Sequence, residues 1–146
     1  MYLDSAIIVK LLVDEPDTSV IARGLVGHTL SSSELAVTEV FAALLRKERD
    51  KMINPAQRAD AWQSFNDRIG GREIVLHPIN SILLKKVNHI LERCHPAVPL
   101  RTLDAIHTAA CDLSQDFPLC TTDKRMRDAA RVLGIPLFPE TETSPS

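Results

Sequence analysis

The chain has 146 residues, of which 45% are hydrophobic and 25% are charged. This length suits one domain that can bury roughly 70% of its extended-chain surface, and the composition excludes a disordered or fibrous protein. A formal net charge of -2 at pH 7, without a long basic run, gives little support by itself to a nucleic-acid partner.

Predicted elements alternate between short apolar strands and amphipathic helices. A first strand ends at Asp4, Ser5 can cap a helix that runs to about Val13, and a turn around Pro16 follows. The pattern then predicts a helix at 18–25, a strand at 28–31, a helix from 32–33 to the charged run 46–51, a helix from Asn54 to about Ile69 and a strand at 74–76.

The second half of the chain continues this alternation. We predict a helix from 80 or 81 to about 91, a helix at 100–113, a strand at 119–122, a helix at 125–133 and a strand at 135–138. Strands that alternate with helices pair in parallel through right-handed crossovers. The prediction is therefore an α/β fold, a three-layer sandwich with a central, mostly parallel sheet flanked by helices. Residues 1–138 form its single domain, and residues 139–146 are predicted to be a flexible tail.

Neither a targeting segment nor a disulfide framework is indicated. The apolar stretch 6–13 contains Lys10 and lacks the length of a membrane span and the pattern of a signal peptide, so we expect a cytoplasmic protein without membrane contact. Cys94, Cys111 and Cys120 are odd in number and form no Cys-x-x-Cys pair, which argues against disulfides or a thiolate zinc site. We interpret them as packing thiols.

Two acids follow predicted strands that lie far apart in the chain. Asp4 comes after the first strand, and Asp123 comes after the strand at 119–122. In an open parallel sheet the carboxyl ends of the strands face the ligand crevice, so such acids can converge on one site. This arrangement predicts a metal-binding cluster.

Two further acids lie on predicted helices with little compensating charge. Glu39 has only leucine and alanine neighbours at the positions three and four residues away, and Asp104 lies among apolar residues. Arg101 and His107 are one turn from Asp104, so a structural salt bridge is the alternative there. Capping and ion pairing also place single carboxylates at such positions, but the conjunction of four favours a functional site.

Four converging carboxylates would repel one another unless a cation offset their charge. Ligands that are all oxygen suit Mg²⁺, with Mn²⁺ as a substitute. Such an ion lowers the pKa of a bound water and stabilises charge during phosphodiester hydrolysis. No serine, cysteine or histidine lies in a motif that would make it an activated nucleophile, and His107 is interpreted as a hydrogen-bonded structural histidine.

Four sequence blocks resemble those of the PIN-domain ribonucleases, and more narrowly those of the VapC toxins of bacterial toxin–antitoxin pairs. The blocks are residues 2–16, 33–40, 103–109 and 121–130, in family order across nearly the whole chain. The resemblance assigns the catalytic and metal-binding acids to Asp4, Glu39, Asp104 and Asp123, with Ser5 and Thr121 as residues that could hydrogen-bond a carboxylate or phosphate. It also implies a five-stranded parallel sheet, magnesium-dependent endoribonuclease activity, a cognate antitoxin and a homodimer.

Basic residues near the predicted crevice are candidates for binding RNA phosphates. They cluster in the runs 46–51 and 124–131, and the strongest candidates are Arg101, Lys124 and Arg125. The competing interpretation is a solvated helix face or a helix end that complements the helix dipole. An apolar surface is predicted to be either a partner groove or simple core, formed by Phe41, Leu44, Leu45, Trp62, Phe65 and Ile69.

Two other functional classes stay open at this point. A receiver-like signalling module also binds magnesium with acids at strand ends, but it needs a paired acid after the first strand and a lysine on the last one. This chain has neither, because Asp4 stands alone and the last strand reads Ile-Pro-Leu-Phe. A catalytically silent PIN-like protein that only binds RNA or a partner is the stronger alternative.

Overall fold

The computed structural model describes residues 1–142, in which five strands form one parallel sheet with the order β3-β2-β1-β4-β5. The strands are β1 Tyr2–Leu3, β2 Leu30–Ser33, β3 Ile74–His77, β4 Leu119–Cys120 and β5 Leu137–Phe138. The predicted α/β class and the five-stranded parallel sheet are confirmed. β1 is the central strand and β4 is its neighbour. The residues that follow these two strands therefore lie side by side at the carboxyl ends of the strands.

Helices connect the strands and cover both faces of the sheet. They are α1 Ser5–Leu12, α2 Thr18–Leu25, α3 Leu35–Arg49, α4 Pro55–Gly70, α5 Ser81–Cys94, α6 Thr102–Ser114 and α7 Lys124–Leu133. α4 starts where the sequence predicts, with Asn54 as the cap and Pro55 at the first helical position. Asn54 and Gln57 also form a reciprocal capping box. Asn80 likewise caps α5 by accepting a hydrogen bond from the backbone of Leu83.

Several predicted boundaries were wrong by one to three residues. The cap of α1 is Asp4 rather than Ser5, since the Asp4 carboxylate accepts from the backbone of Ile7. The second strand lies at 30–33 rather than 28–31, because its serines pair with β3 and Ser32 donates to the carbonyl of Leu3. The predicted strands at 119–122 and 135–138 shrink to two residues each, and α6 begins at Thr102 rather than at 100.

Alternate residues of the short strands point into different halves of the core, as the pleat of a strand requires. Tyr2 and Leu119 pack with α5, α6 and α7 on one face of the sheet. Leu3 and Cys120 pack with the helices α1 to α4 on the other face. Both faces of the sheet are therefore buried, which gives the predicted three layers and holds the ends of β1 and β4 rigidly.

The three cysteines are free thiols buried in these two cores. Burial raises the pKa of Cys111 to about 12, and the nearby carboxylates of Asp112 and Asp116 act in the same direction. Burial also raises the pKa of Cys94 and of Cys120. Within residues 1–142, no helix combines the length and apolar character needed to cross a membrane.

The buried Arg127 connects α7 to the chain beyond β5. Its guanidinium donates to the carbonyl of Thr121 at 2.9 Å and to the carbonyls of Pro139 and Glu140 at 2.7 and 3.3 Å. Arg127 is only 1% exposed, so these carbonyls replace water around its charge. The flexible tail at 139–146 stays a prediction: residues 139 and 140 make these contacts, and residues 143–146 lie outside the described part of the chain.

Candidate active site

Asp4 is a buried carboxylate at the carboxyl end of the central strand. It is 4% exposed, and as the cap of α1 it accepts through Oδ1 from the backbone of Ile7 at 2.9 Å. Its Oδ2 accepts from the hydroxyl of Thr121. Burial raises the pKa of Asp4, and the nearby Asp123 acts in the same direction against hydrogen bonds that lower it. No lysine or arginine hydrogen-bonds this carboxylate in the described residues, so a cation would find an unneutralised charge there.

Asp123 is brought to Asp4 by the residues that follow β4. It caps α7, with Oδ1 accepting from the backbone of Met126 at 2.9 Å. The hydroxyl of Thr121 accepts from the Asp123 backbone at 3.0 Å while it donates to Asp4. Thr121 therefore fixes both acids through one hydroxyl group, and both carboxylates lie at the start of a helix where the helix dipole favours negative charge.

Glu39 reaches the same region from α3. Its Oε1 accepts from the hydroxyl of Ser5 at 2.7 Å and lies 2.5 Å from Nε2 of His107. Burial acts to raise the pKa of Glu39, but the hydrogen bonds from His107 and Ser5 and the charge of His107 hold that pKa below its ordinary value. Ser5 directly follows Asp4, so this contact places Glu39 beside the first acid.

His107 is a partner of Glu39 that the sequence did not reveal. It lies on α6, is 3% exposed, and its Nδ1 is 2.8 Å from the hydroxyl of the buried Tyr2. The structural interpretation of this histidine captured its hydrogen bonding but missed that its partner is a predicted site residue. Glu39 and His107 are 68 residues apart in the chain. The usable signal was the helical spacing of three residues that places His107 on the same side of α6 as Asp104.

Asp104 lies in the first turn of α6 and forms an ion pair with Arg101. The Nε of Arg101 is 3.3 Å from Oδ2 of Asp104, and the arginine side chain is 66% exposed. The described residues contain no hydrogen bond between Asp104 and the other three acids. Within residues 1–142, no three side chains from aspartate, glutamate, histidine or cysteine form a group able to hold a metal ion. The four-acid metal site thus stays a prediction.

Comparisons with known proteins identify the family. The PIN domain family matches residues 1–132. The chain belongs to the PIN-domain family. It is 39% identical over 140 residues to Ribonuclease VapC46 of Mycobacterium tuberculosis (strain ATCC 25618 / H37Rv), across 92% of this chain and 93% of that protein. This identity confirms the VapC-type resemblance, and the family match excludes the receiver-like alternative.

A solved structure supports the fold of this PIN domain. The crystal structure of FitAcB from Neisseria gonorrhoeae matches it with a TM-score of 0.66 over 95% of this chain and 96% of that chain. The sequence identity is 15%, so this likeness concerns the arrangement of helices and strands alone. The arrangement of helices and strands described above is therefore shared with a solved structure.

Basic side chains of the PIN domain differ in their exposure and in their ion pairs, and therefore in their availability to bind a phosphate. Arg125 is exposed in the first turn of α7, and within residues 1–142 no salt bridge involves it. Lys124 is 77% exposed and lies 3.1 Å from Asp128, an exposed pair of small energetic value. Arg127 belonged to the predicted basic run, but it is buried against backbone carbonyls and is thereby excluded from phosphate binding.

Replacing Thr121 by valine should weaken both the fold and the site. The change keeps the side-chain shape but removes the donor to Asp4 and the acceptor of the Asp123 backbone. We expect a loss of about 1–3 kcal/mol in the free energy of unfolding, typical of buried groups left without a partner. Urea denaturation measures it, and Thr121→Ser, which keeps the hydroxyl and loses only a buried methyl group, should lose less, about 0.8 kcal/mol. Equal losses in the two variants would contradict the assigned hydroxyl contacts.

Proposed function

We propose that this PIN domain is a divalent-metal-dependent endoribonuclease and the toxin of a toxin–antitoxin pair. The observation that carries the proposal is the Asp4 carboxylate, buried at the end of the central strand and held only by uncharged donors. A buried carboxylate without a cationic partner is costly unless an ion is bound there. The relative VapC46 is named a ribonuclease, and the proposal extends that activity to this chain.

The four acids fit a hard cation through their donor chemistry. Asp4 and Asp104 are proposed to hold the ion most directly, with Glu39 and Asp123 completing the site or binding its waters. All of these donors are carboxylate oxygens, which suit Mg²⁺ and also Mn²⁺. When bound, the ion supplies charge stabilisation at a phosphodiester and acidifies a water molecule.

The chain's own residues orient the carboxylates for this chemistry. Thr121 fixes Asp4 relative to Asp123 through its hydroxyl, and Ser5 fixes one oxygen of Glu39. Such supporting residues hold ligands in their working orientation, and their loss typically costs about 10–100-fold in metal affinity or activity. Ser5 and Thr121 are thus proposed as positioning residues.

Substrate binding is proposed to use exposed cations that surround these acids. Arg101 lies one turn from Asp104, while Lys124 and Arg125 directly follow Asp123. Phosphate contacts of this kind position a nucleic acid without reading its sequence. The net charge of -2 includes the four site acids, so a bound cation and these arginines and lysine would leave a locally positive surface.

The antitoxin is proposed to bind an apolar groove between α1 and α4. Leu12, Val13 and Ile53 line a cavity of 350 Å³ there, with the acids Asp14 and Asp60 beside them. Phe41 on α3 and Trp62 on α4 pack with ring centres 4.8 Å apart and an angle of 59° between the rings, and Phe41 is 38% exposed, whereas Leu44 and Phe65 are fully buried. An apolar peptide segment with basic residues would match this lining. A homodimer and a cytoplasmic location complete the proposal.

The nuclease proposal predicts RNA cleavage by the purified, antitoxin-free protein when Mg²⁺ or Mn²⁺ is present. Suitable substrates are end-labelled RNA hairpins with varied single-stranded loops, because proteins usually read RNA sequence in such loops. Excess chelator should stop cleavage, and Asp104→Asn prepared in parallel should be inactive. Glu92→Gln removes a carboxylate from the exposed face of α5 and should keep full activity.

Two results would overturn the nuclease proposal. One is cleavage that persists unchanged in chelator or in the Asp104→Asn preparation, which would indicate a contaminating enzyme. The other is the absence of cleavage with both metals and all hairpins, which would favour the catalytically silent alternative. The Glu92→Gln control separates loss of a site carboxylate from a general effect of removing one negative charge.

A further inference from the structure

A buried chain of polar side chains runs from the central strand to Glu39. The hydroxyl of Tyr2, on β1, lies 2.8 Å from Nδ1 of His107, and Nε2 of that ring lies 2.5 Å from Oε1 of Glu39. The rings of Tyr2 and His107 meet edge to face, with centroids 5.9 Å apart. Tyr2 is completely buried and His107 nearly so, which fixes the position of the imidazole.

The direction of the last hydrogen bond follows from chemistry. An ionised carboxylate can only accept, so Nε2 of His107 must be the donor to Glu39. Ser5 donates to the same oxygen from 2.7 Å. Oε1 of Glu39 therefore receives two donors, while Oε2 accepts no hydrogen bond from residues 1–142.

We propose that His107, anchored by Tyr2, is a positioning residue that fixes Glu39 by Oε1 and leaves Oε2 as the oxygen that meets the divalent cation or one of its waters. This inference rests on the proposed function, because it assigns the orientation of one carboxylate in that same site. Glu39 otherwise lies on α3 with a side chain that is 25% exposed, and without the imidazole it could adopt several rotamers.

A pair of amide substitutions tests this role. In His107→Gln the side-chain amide reaches the position of Nε2, so a donor to Glu39 is kept. In His107→Asn the amide reaches only the position of Nδ1, so Tyr2 keeps a partner while Glu39 keeps only the donor from Ser5. Both variants remove the ring and its packing, which makes each the control for the other.

The first readout is binding of Mn²⁺ alone, followed by electron paramagnetic resonance without RNA. We expect His107→Asn to bind Mn²⁺ about 10–100-fold more weakly than wild type, the range seen when a supporting group is lost. His107→Gln should bind within about threefold of wild type, a change well below that range. Tyr2→Phe, which lacks only the hydroxyl, should fall between them. Thermal melts in chelator accompany each titration.

Outcomes divide cleanly between the inference and the proposed function. Two results would reject the positioning role and leave His107 structural. One is an unchanged Mn²⁺ affinity in His107→Asn. The other is an equal loss of Mn²⁺ affinity in the Asn and Gln variants that parallels their loss in melting temperature. Wild type that binds Mn²⁺ but cleaves no RNA would reject the nuclease, while the affinity ratio of the variants still decides the inference. Wild type that does not bind Mn²⁺ rejects both.

Discussion

Replacing Asp4 by asparagine is expected to abolish RNA cleavage while leaving the metal-free protein folded. Asparagine keeps an oxygen for the backbone of Ile7 and a polar group for Thr121, so the cap of α1 survives. The charge that would hold a divalent cation is lost. The decrease in cleavage rate should exceed about 100-fold, the upper range for residues that only support a ligand.

The same substitution should preserve or raise stability at neutral pH. The pKa of Asp4 is raised in the folded state by burial and by Asp123, so the folded protein binds this proton more tightly than the unfolded chain. Stability then falls as the pH rises from the ordinary aspartate pKa through the raised one, and at pH 7 the ionised group carries the full penalty. Asn lacks this penalty. We therefore compare the melting temperature of Asp4→Asn with that of wild type in chelator. The difference, variant minus wild type, should be larger at pH 7 than at pH 4.

A matched control and added metal sharpen this experiment. Glu92→Gln removes an exposed carboxylate from α5 and should change neither cleavage nor melting temperature. Mn²⁺ should raise the melting temperature of wild type by mass action and leave Asp4→Asn unchanged. Cleavage by Asp4→Asn at the wild-type rate would contradict the assignment of Asp4 as a metal-binding residue. A loss of several degrees in chelator at pH 7 would instead make the carboxylate structural.

Arg127→Met should be the most destabilising single substitution considered, without altering any proposed ligand. Methionine fills much of the volume but offers no donor to the carbonyls of Thr121, Pro139 and Glu140. Buried acceptors left without partners cost about 1–3 kcal/mol each, less where water can enter. We expect a total loss of about 3 kcal/mol in the free energy of unfolding, within the usual range for a buried network. Urea denaturation with an unchanged m-value measures it.

Arg131 supplies the control for this prediction from the same helix. It is 48% exposed and pairs at 2.9 Å with the partly exposed Asp128, so Arg131→Met should change stability by no more than about 0.5 kcal/mol. Comparable losses in the two variants would show that α7 simply tolerates no apolar replacement, and the carbonyl contacts of Arg127 would then have no special role. Arg127→Lys should recover part of the stability, because an ammonium can still donate but lacks the planar fork.

Much of the fold was readable from local signals. The helix start at Asn54 and the helix at 18–25 were predicted at the right places, because caps and apolar periodicity act over a few residues. The second strand was misplaced because its buried face is built from serines. Ser32 and Ser33 look like a helix start in the sequence, whereas pairing with β3 and burial make them strand residues.

The site was predictable only in part, because the contacts that build it join residues far apart in the chain. Strand ends pointed to Asp4 and Asp123, whose link through Thr121 the structure describes. The pairing of Glu39 with His107 was not predicted, because the two residues lie on different helices and the spacing of His107 from Asp104 indicates only a shared side of α6. Arg127 was read as part of a basic surface run, since only the folded chain places the carbonyls of residues 139 and 140 against it.

The labelling rates of the three buried thiols can report how fast the fold opens. The thiolate is the nucleophile that attacks a thiol reagent, so Cys94, Cys111 and Cys120 should stay unlabelled until the core around them opens. Cys111 and Cys94 lie in the core with α5 to α7, and Cys120 lies in the opposite core with α1 to α4. Mass spectrometry of labelled peptides would then report the opening rate of each half separately, for wild type and for every variant proposed above, in a single tube and without an added fluorophore.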